Sequence, residues 1–280
     1  MKSLPCMALV TLTAVASGCV DLKAVRDFAS ASAPFAEDTE LATRFRDTYR
    51  REQPYLAGQA AQLALANDQQ RRAAYGNVVK LHRLLGRYLR TLAALAGDRT
   101  FDPSASLGSL ATGIESCPDF GLDKKQVEAY EGLAKVVVRW GTGAQQEKAV
   151  RKMLEEGDPH LQTLLDGMAR LLVTYRATNA NERGSVLGLL EIELPFTDTP
   201  RDRLLATLAK AHLQARLQEY QLADTRYAKA EAGLRSLRAG HRALRDQADH
   251  LSSAQARAAI DRFTRDIQTI RENLQTVQAL

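Results

Sequence analysis

The sequence predicts an all-α fold, an elongated antiparallel helical bundle with long coiled-coil-like hairpins. Three observations carry that expectation. Apolar residues recur at alternating spacings of three and four through most of the long segments, the signature of a helix that buries one face. Alanine, the strongest helix former, supplies 44 of the 280 residues, and only eight prolines interrupt the chain. Strand-like alternation is nearly absent, and the 45% hydrophobic and 25% charged composition is that of an ordinary globular chain.

In chain order, Ala29, Ser30, Ala31, Ser32, Ala33 and Pro34 form a small-residue stretch suited to a tether, although residues 22–28 could be helical within it. A long helix is expected from about Glu37, with Leu41, Phe45 and Tyr49 at helical spacing, a kink or break at Pro54, a continuation through Leu56, Ala60 and Leu63, and an end near Asn67 and Asp68. Val78, Leu81, Leu85, Tyr88, Leu92 and Leu95 make the first strict seam, which stops at Gly97. Asp102 and Pro103 read as an N-cap and first-turn proline for a short helix carrying Leu107, Leu110 and Ile114, closed by Pro118 and Gly121.

Asp123 with Gln126 has the spacing of a capping box and opens a helix bearing Val127, Tyr130, Val137 and Trp140 that Gly141 should end. Thr142 with Gln145 starts the next, and Gly157, Asp158 and Pro159 read as a stop followed by a new start for a seam of Leu161, Leu164, Met168, Leu171 and Tyr175. A shorter helical piece follows over residues 183–190. Residues 191–196 alternate acidic and apolar side chains and suggest a brief extended segment. Residues 201–251 contain no proline, which allows one helix of about 50 residues, about 75 Å long. Its second half carries Leu234, Leu237, His241, Leu244, Ala248 and Leu251. After a turn capped by Ser252 with Gln255, Ile260, Phe263, Ile267, Ile270, Leu274 and Val277 repeat the same spacing, so the two seams should pair as a terminal hairpin.

The N-terminus has a different character. Lys2 precedes a mostly apolar run over residues 4–15, too short to span a bilayer, and Asp21, Lys23, Arg26 and Asp27 follow it with charge. Ala16, Ser17, Gly18 and Cys19 close the run, and this quartet resembles the lipobox of bacterial lipoproteins, with Ala16 where leucine is usual. The resemblance covers residues 1–19 alone. It implies a signal peptide over residues 1–18, cleavage between Gly18 and Cys19, and lipid on Cys19; the several acyl chains would make a stable anchor. Val20, where an aspartate would signal retention in the inner membrane of similar proteins, implies the outer membrane, periplasmic face. The expected organisation is then signal peptide 1–18, lipid anchor and tether 19–36, and helical bundle domain 37–280. Lipidation of Cys19 would leave Cys117 as the lone thiol, with no internal disulfide possible.

Charge is uneven along the chain. Residues 19–96 carry 12 basic and 8 acidic side chains, residues 97–200 carry 11 and 16, and residues 201–280 carry 14 and 9. The simplest account is an acidic middle matched to basic ends within the molecule. Export excludes nucleic acid as a partner and leaves lipid head groups, lipopolysaccharide or acidic proteins for any free basic surface. Arg235, Arg238, Arg242 and Arg245 run beside the last long seam and are the candidate anionic-surface site, although flanking arginines usually meet acids across a seam.

Chemistry-bearing patterns are sparse. Gly141, Thr142 and Gly143 lack the lysine and preceding strand of a phosphate-binding loop. His82, His160, His212, His241 and His250 show no helical metal-ligand spacing, and Asp246 with His250 reads as a solvated pair one turn apart. Glu191 and Glu193 could act together only on an extended strand. No catalytic residue, metal or cofactor beyond the covalent lipid is expected. The sequence therefore points to a membrane-anchored helical scaffold or interaction module whose partner is another envelope protein or a second copy of itself. A binder of an anionic envelope component is the first alternative, and a helix-rich enzyme or inhibitor the second.

Overall fold

The computed structural model describes residues 22–98, 113–141, 147–197, 199–251 and 253–276, and among them the fold is an all-α bundle of eight α-helices. The helices are α1 (Lys23–Glu37), α2 (Glu40–Arg46), α3 (Thr48–Glu52), α4 (Gly58–Leu95), α5 (Lys124–Gly141), α6 (Glu147–Thr197), α7 (Arg203–Asp246) and α8 (Ala254–Thr276), with short 3₁₀ turns at Gln53–Tyr55 and Pro118–Phe120. The lipobox, the short helix expected after Asp102 and the Thr142 and Ser252 caps lie outside the described residues.

Two long antiparallel hairpins organise the bundle. Helices α6 and α7 pair along their whole length, Asp158 facing His241 near one end and Glu182 facing Tyr220 further along. Helix α8 folds back along the C-terminal half of α7, and Leu244 and Ile267, both fully buried, share one core as the terminal seams require. Helix α4 runs parallel to α7, its Tyr88 meeting His241, and α5 packs on α6 beside it. Asp123 caps α5 as its spacing indicates: the Asp123 amide donates to Gln126 Oε1 at 3.2 Å, and Asp123 Oδ1 accepts the Lys125 amide at 2.8 Å.

The stretch expected to be a tether is instead α1, a core helix. Val25, Phe28, Ala29 and Ala36 have no exposed surface, and α1 packs between α4 and α8. The alanines that suggested a flexible linker permit this close approach, while Phe28 and Phe35 lie over Gly240 and Gly233 of α7, where a β-carbon would collide with either ring. Among the described residues the packed helices thus include α1, from Lys23.

Other boundaries also move. The helix expected from Glu37 through Tyr49 is two short ones, α2 and α3, and α4 runs unbroken through Asn67 and Asp68. The stop at Gly157, Asp158 and Pro159 does not occur: α6 is one 51-residue helix with Pro159 and Pro195 inside it. An interior proline costs a helix about 3 kcal/mol. Here the carboxylate of Asp158, its exposure 2%, is held from three sides, and Gly157 gives Tyr88 room to seat its ring on the α6 backbone. The same helix absorbs residues 191–196, so no extended segment places Glu191 and Glu193 on one face.

Candidate functional site

Beyond the point where α4 begins, α6 and α7 continue as a two-helix projection. The last contacts tying the projection to the rest are those of Tyr55, which stacks on His212 and shares a hydrogen bond of 2.6 Å with it, beside Val186, Leu187 and Tyr220. Further out, Leu194 and Ala206 face each other's helix and are 8% and 2% exposed. Among the described residues, nothing packs over the outer faces of the remaining large apolar side chains here. Leu189, Ile192 and Phe196 on α6 are 43%, 66% and 76% exposed, and Leu204, Leu205 and Leu208 on α7 are 74%, 57% and 60% exposed. Their spacings, three then four on α6 and four and three on α7, are those of seams that elsewhere in this chain meet a third or fourth helix.

This tip was missed in the sequence because Pro195 and the alternation of residues 191–196 obscured the helical period. Continuing the period of three and four from Leu189 through Phe196 would have found it. Exposed apolar surface concentrated at one place marks an interaction site more reliably than scattered apolar residues do.

Two buried polar networks lie behind the tip. In the first, neutral His241 donates from Nδ1 to Asp158 Oδ1 at 2.8 Å and faces the Tyr88 hydroxyl through Nε2, also at 2.8 Å. Gln162 Nε2 donates to the same Asp158 oxygen at 2.9 Å, and Arg245 donates to Asp158 Oδ2 at 2.8 Å. The order of groups is that of an acid–base relay. Yet Tyr88 and His241 have no exposed surface, and burial holds the phenol well above its usual range, so the relay fixes the register of α4, α6 and α7 without access to a substrate. In the second network, Arg51 grips Glu182 with two bonds of 2.8 and 2.7 Å, Tyr220 donates to Glu182 at 2.9 Å, and Arg44 joins Asn179 at 3.1 Å and Glu219 at 2.8 Å. It clamps α2 and α3 onto the long hairpin.

A small cavity of about 40 Å³ lies between α1, α2, α4, α6, α7 and α8, lined by Phe35, Met168, Leu171 and Leu234 with Asp38, His82 and Arg226 among them. A buried water needs roughly 10–15 Å³, so the space suits a few waters. The Tyr175 hydroxyl, which has no protein partner, belongs to this lining and is the group such water would satisfy.

Burial makes folding pH-dependent. His82, which bonds the Ala36 carbonyl at 2.8 Å, and His241 are both held below the ordinary histidine range by desolvation, and the half-buried His160 shifts the same way. Below about pH 6.5 the unfolded chain therefore takes up protons that the folded chain refuses, and stability falls as the pH falls, by up to about 1.4 kcal/mol per pH unit for each of His82 and His241 and by less for His160. Urea unfolding at pH 5.5 is expected to give a clearly lower free energy than at pH 7.5. Equal values would show that these rings are not buried neutral.

The arginine stripe is largely engaged within the molecule. Arg235 pairs with Glu231 at 2.7 Å, Arg238 pairs with Asp166 and donates to Gln162 at 3.1 Å, and Arg245 bridges Asp158 and Asp246. Arg242 alone of the four is exposed with no carboxylate described beside it. Asp246 takes Arg245 as its partner, in place of the pair with His250 that the spacing suggested. Cys117 is a free, half-buried thiol 3.7 Å from Asn77 Nδ2. Among the described residues no cluster of three histidine, cysteine or acidic side chains could hold a metal ion, and no helix is long and apolar enough to cross a membrane. No family model, curated protein or solved structure matches this chain.

Proposed function

We propose that the protein is a lipoprotein of the bacterial outer membrane, anchored on the periplasmic face through lipid on Cys19, whose helical body is a scaffold that holds an interaction tip away from the membrane. The observation that carries this reading is the position of the exposed apolar tip relative to the start of α1. Phe28 of α1 lies against Gly240, near the C-terminal end of α7, whereas Leu204 and Leu205 stand at the opposite end of the same 44-residue helix. At 1.5 Å per residue that helix measures about 65 Å. Lys23 begins α1 only four residues after Cys19, so a lipid on Cys19 would hold the membrane near one end of the bundle and leave the tip at the other. A docking function for the tip also accounts for its tolerance of exposed leucines, which a bundle with no partner would gain by losing.

Replacing Cys19 with serine is expected to abolish incorporation of labelled fatty acid and to release the protein from the membrane fraction. Retention of label and membrane association by the Cys19→Ser variant would overturn the anchor and with it the geometry of the proposal.

A further inference from the structure

The buried group of Tyr88, His241, Asp158 and Arg245 has one acceptor too many. With His241 neutral and its Nδ1 proton on Asp158, Nε2 turns a lone pair toward the Tyr88 oxygen at 2.8 Å, and the Met153 carbonyl of α6 stands 3.1 Å from the same oxygen. The phenol has a single proton for these two acceptors. A proton on Nε2 removes the conflict, because Nε2 then donates to the Tyr88 oxygen and Tyr88 donates to Met153.

Charge couples Arg245 to that proton. Asp158 is 2% exposed and His241 has no exposed surface, so an unbalanced charge between them is costly. While His241 is neutral, Arg245 balances the carboxylate through its 2.8 Å bond to Asp158 Oδ2. A protonated His241 would balance it from the opposite oxygen, also at 2.8 Å, and leave Arg245 as the excess cation. Arg245 has somewhere to go: its side chain is 40% exposed and already donates to Asp246 at 2.9 and 2.6 Å. Among the described residues the ionisable groups facing His241 are Tyr88 from α4, Asp158 from α6 and Arg245 from α7 itself, while α1 and α8 bring Phe28 and Phe263 to the adjacent Gly240. Burial lowers the proton affinity of the ring, Asp158 raises it and Arg245 lowers it, so by reciprocity the proton weakens the hold on Arg245.

We propose that this group is a proton-operated switch, in which one proton taken from solvent onto His241 Nε2 turns the Tyr88 hydroxyl from His241 to the Met153 carbonyl and releases Arg245 from Asp158 to Asp246 and solvent. No covalent bond other than that N–H is made or broken. Acidification thereby changes the charged surface at the end of α7 while α4, α6 and α7 keep their register. The test is a pH titration of the full chain, with isotope-labelled histidine and arginine, followed by NMR from about pH 7.5 to about pH 4.5. His241 Nε2 is expected to pass from a bare to a protonated nitrogen at a midpoint below the ordinary histidine value, and rotation of the Arg245 Nη groups to quicken at the same midpoint. Arg245→Gln should raise the midpoint by about one pH unit, because the competing cation is gone, whereas Arg242→Gln should leave it in place. Tyr88→Phe should lower it by about one unit, because the protonated ring loses its acceptor.

A His241 ring that stays neutral until the chain unfolds overturns the switch, and so does a midpoint that Arg245→Gln fails to move. Arg245 rotation that ignores the His241 midpoint overturns the exchange at Asp158. Arg245 and Arg242 are both exposed, so these outcomes are read on folded protein even where Tyr88→Phe does not fold.

Discussion

Leu244→Asp is expected to unfold the terminal hairpin, lowering stability by more than about 4 kcal/mol, among the largest effects a single substitution produces. Leu244 has no exposed surface and shares its core with Leu237 of α7, Leu251 of the turn that follows, Ile260 and Ile267 of α8, and α1. Truncating such a leucine to alanine already costs about 2–5 kcal/mol through lost burial and the cavity left behind. An aspartate adds a carboxylate that must either be desolvated, protonate, or force α8 and α1 away from α7. Ile267→Asp should act the same way from the other side of the seam. Urea denaturation of the three proteins measures it, and Arg242→Ala is the control, expected to change stability by less than about 0.5 kcal/mol because its side chain is exposed on the outer face. Silence at Leu244 would mean that the two seams do not meet.

Glu182→Ala is expected to cost about 3–5 kcal/mol, the penalty for breaking a buried ion pair by removing one partner. Its carboxylate has no exposed surface and receives both forks of Arg51 and the Tyr220 hydroxyl. With the acid gone, Arg51 and Arg44, each 15% exposed, are left as two cations of which Arg44 keeps Glu219 and Asn179 while Arg51 keeps only the uncharged Arg44 carbonyl and Thr48 hydroxyl among its described hydrogen-bond partners. The contrast is Glu231→Ala, whose pairs with Arg176 and Arg235 are solvent-exposed and should be worth less than about 1 kcal/mol. Loss at Glu231 equal to that at Glu182 would show that the inner network is not buried as described. Because the clamp joins α2 and α3 to the long hairpin, the Glu182 variant should also loosen the Tyr55–His212 contact at the base of the tip, which hydrogen exchange would reveal as faster exchange in Thr48–Glu52.

The helical class, the seam of α4, the α5 capping box, the start of α7 and the pairing of α7 with α8 are all readable from local spacing, because each depends on residues three and four apart or on a cap and its third neighbour. An exported chain is equally legible as an expectation from residues 1–19, since a processing site is read by local chemistry. What local spacing could not supply is the partner of each group. Ala29 and Ala33 carry the same composition in a tether as in a close-packed helix, and only the rings of Phe28 and Phe35 over Gly240 and Gly233 decide between them. Gly157, Asp158 and Pro159 look like a helix end, yet α6 continues because Asp158 meets His241 and Arg245, partners more than 80 residues away. The charges of the arginine stripe were visible in the sequence, as were the neighbouring Glu231 and Asp246, but two of their acids, Asp158 and Asp166, lie on another helix.

The sequence by itself determined which segments become helices and which face of most of them is apolar, because those properties arise from propensity and period within a single turn or two of chain. Only the tertiary structure decided which apolar faces find a cover. Leu234 and Leu244 are buried by α6, α8 and α1, whereas Ile192, Phe196, Leu204 and Leu208, spaced no differently, stay in solvent because α4 starts too late in the bundle to reach them. Burial is a property of what lies opposite, and that is set by the lengths and registers of all the helices together.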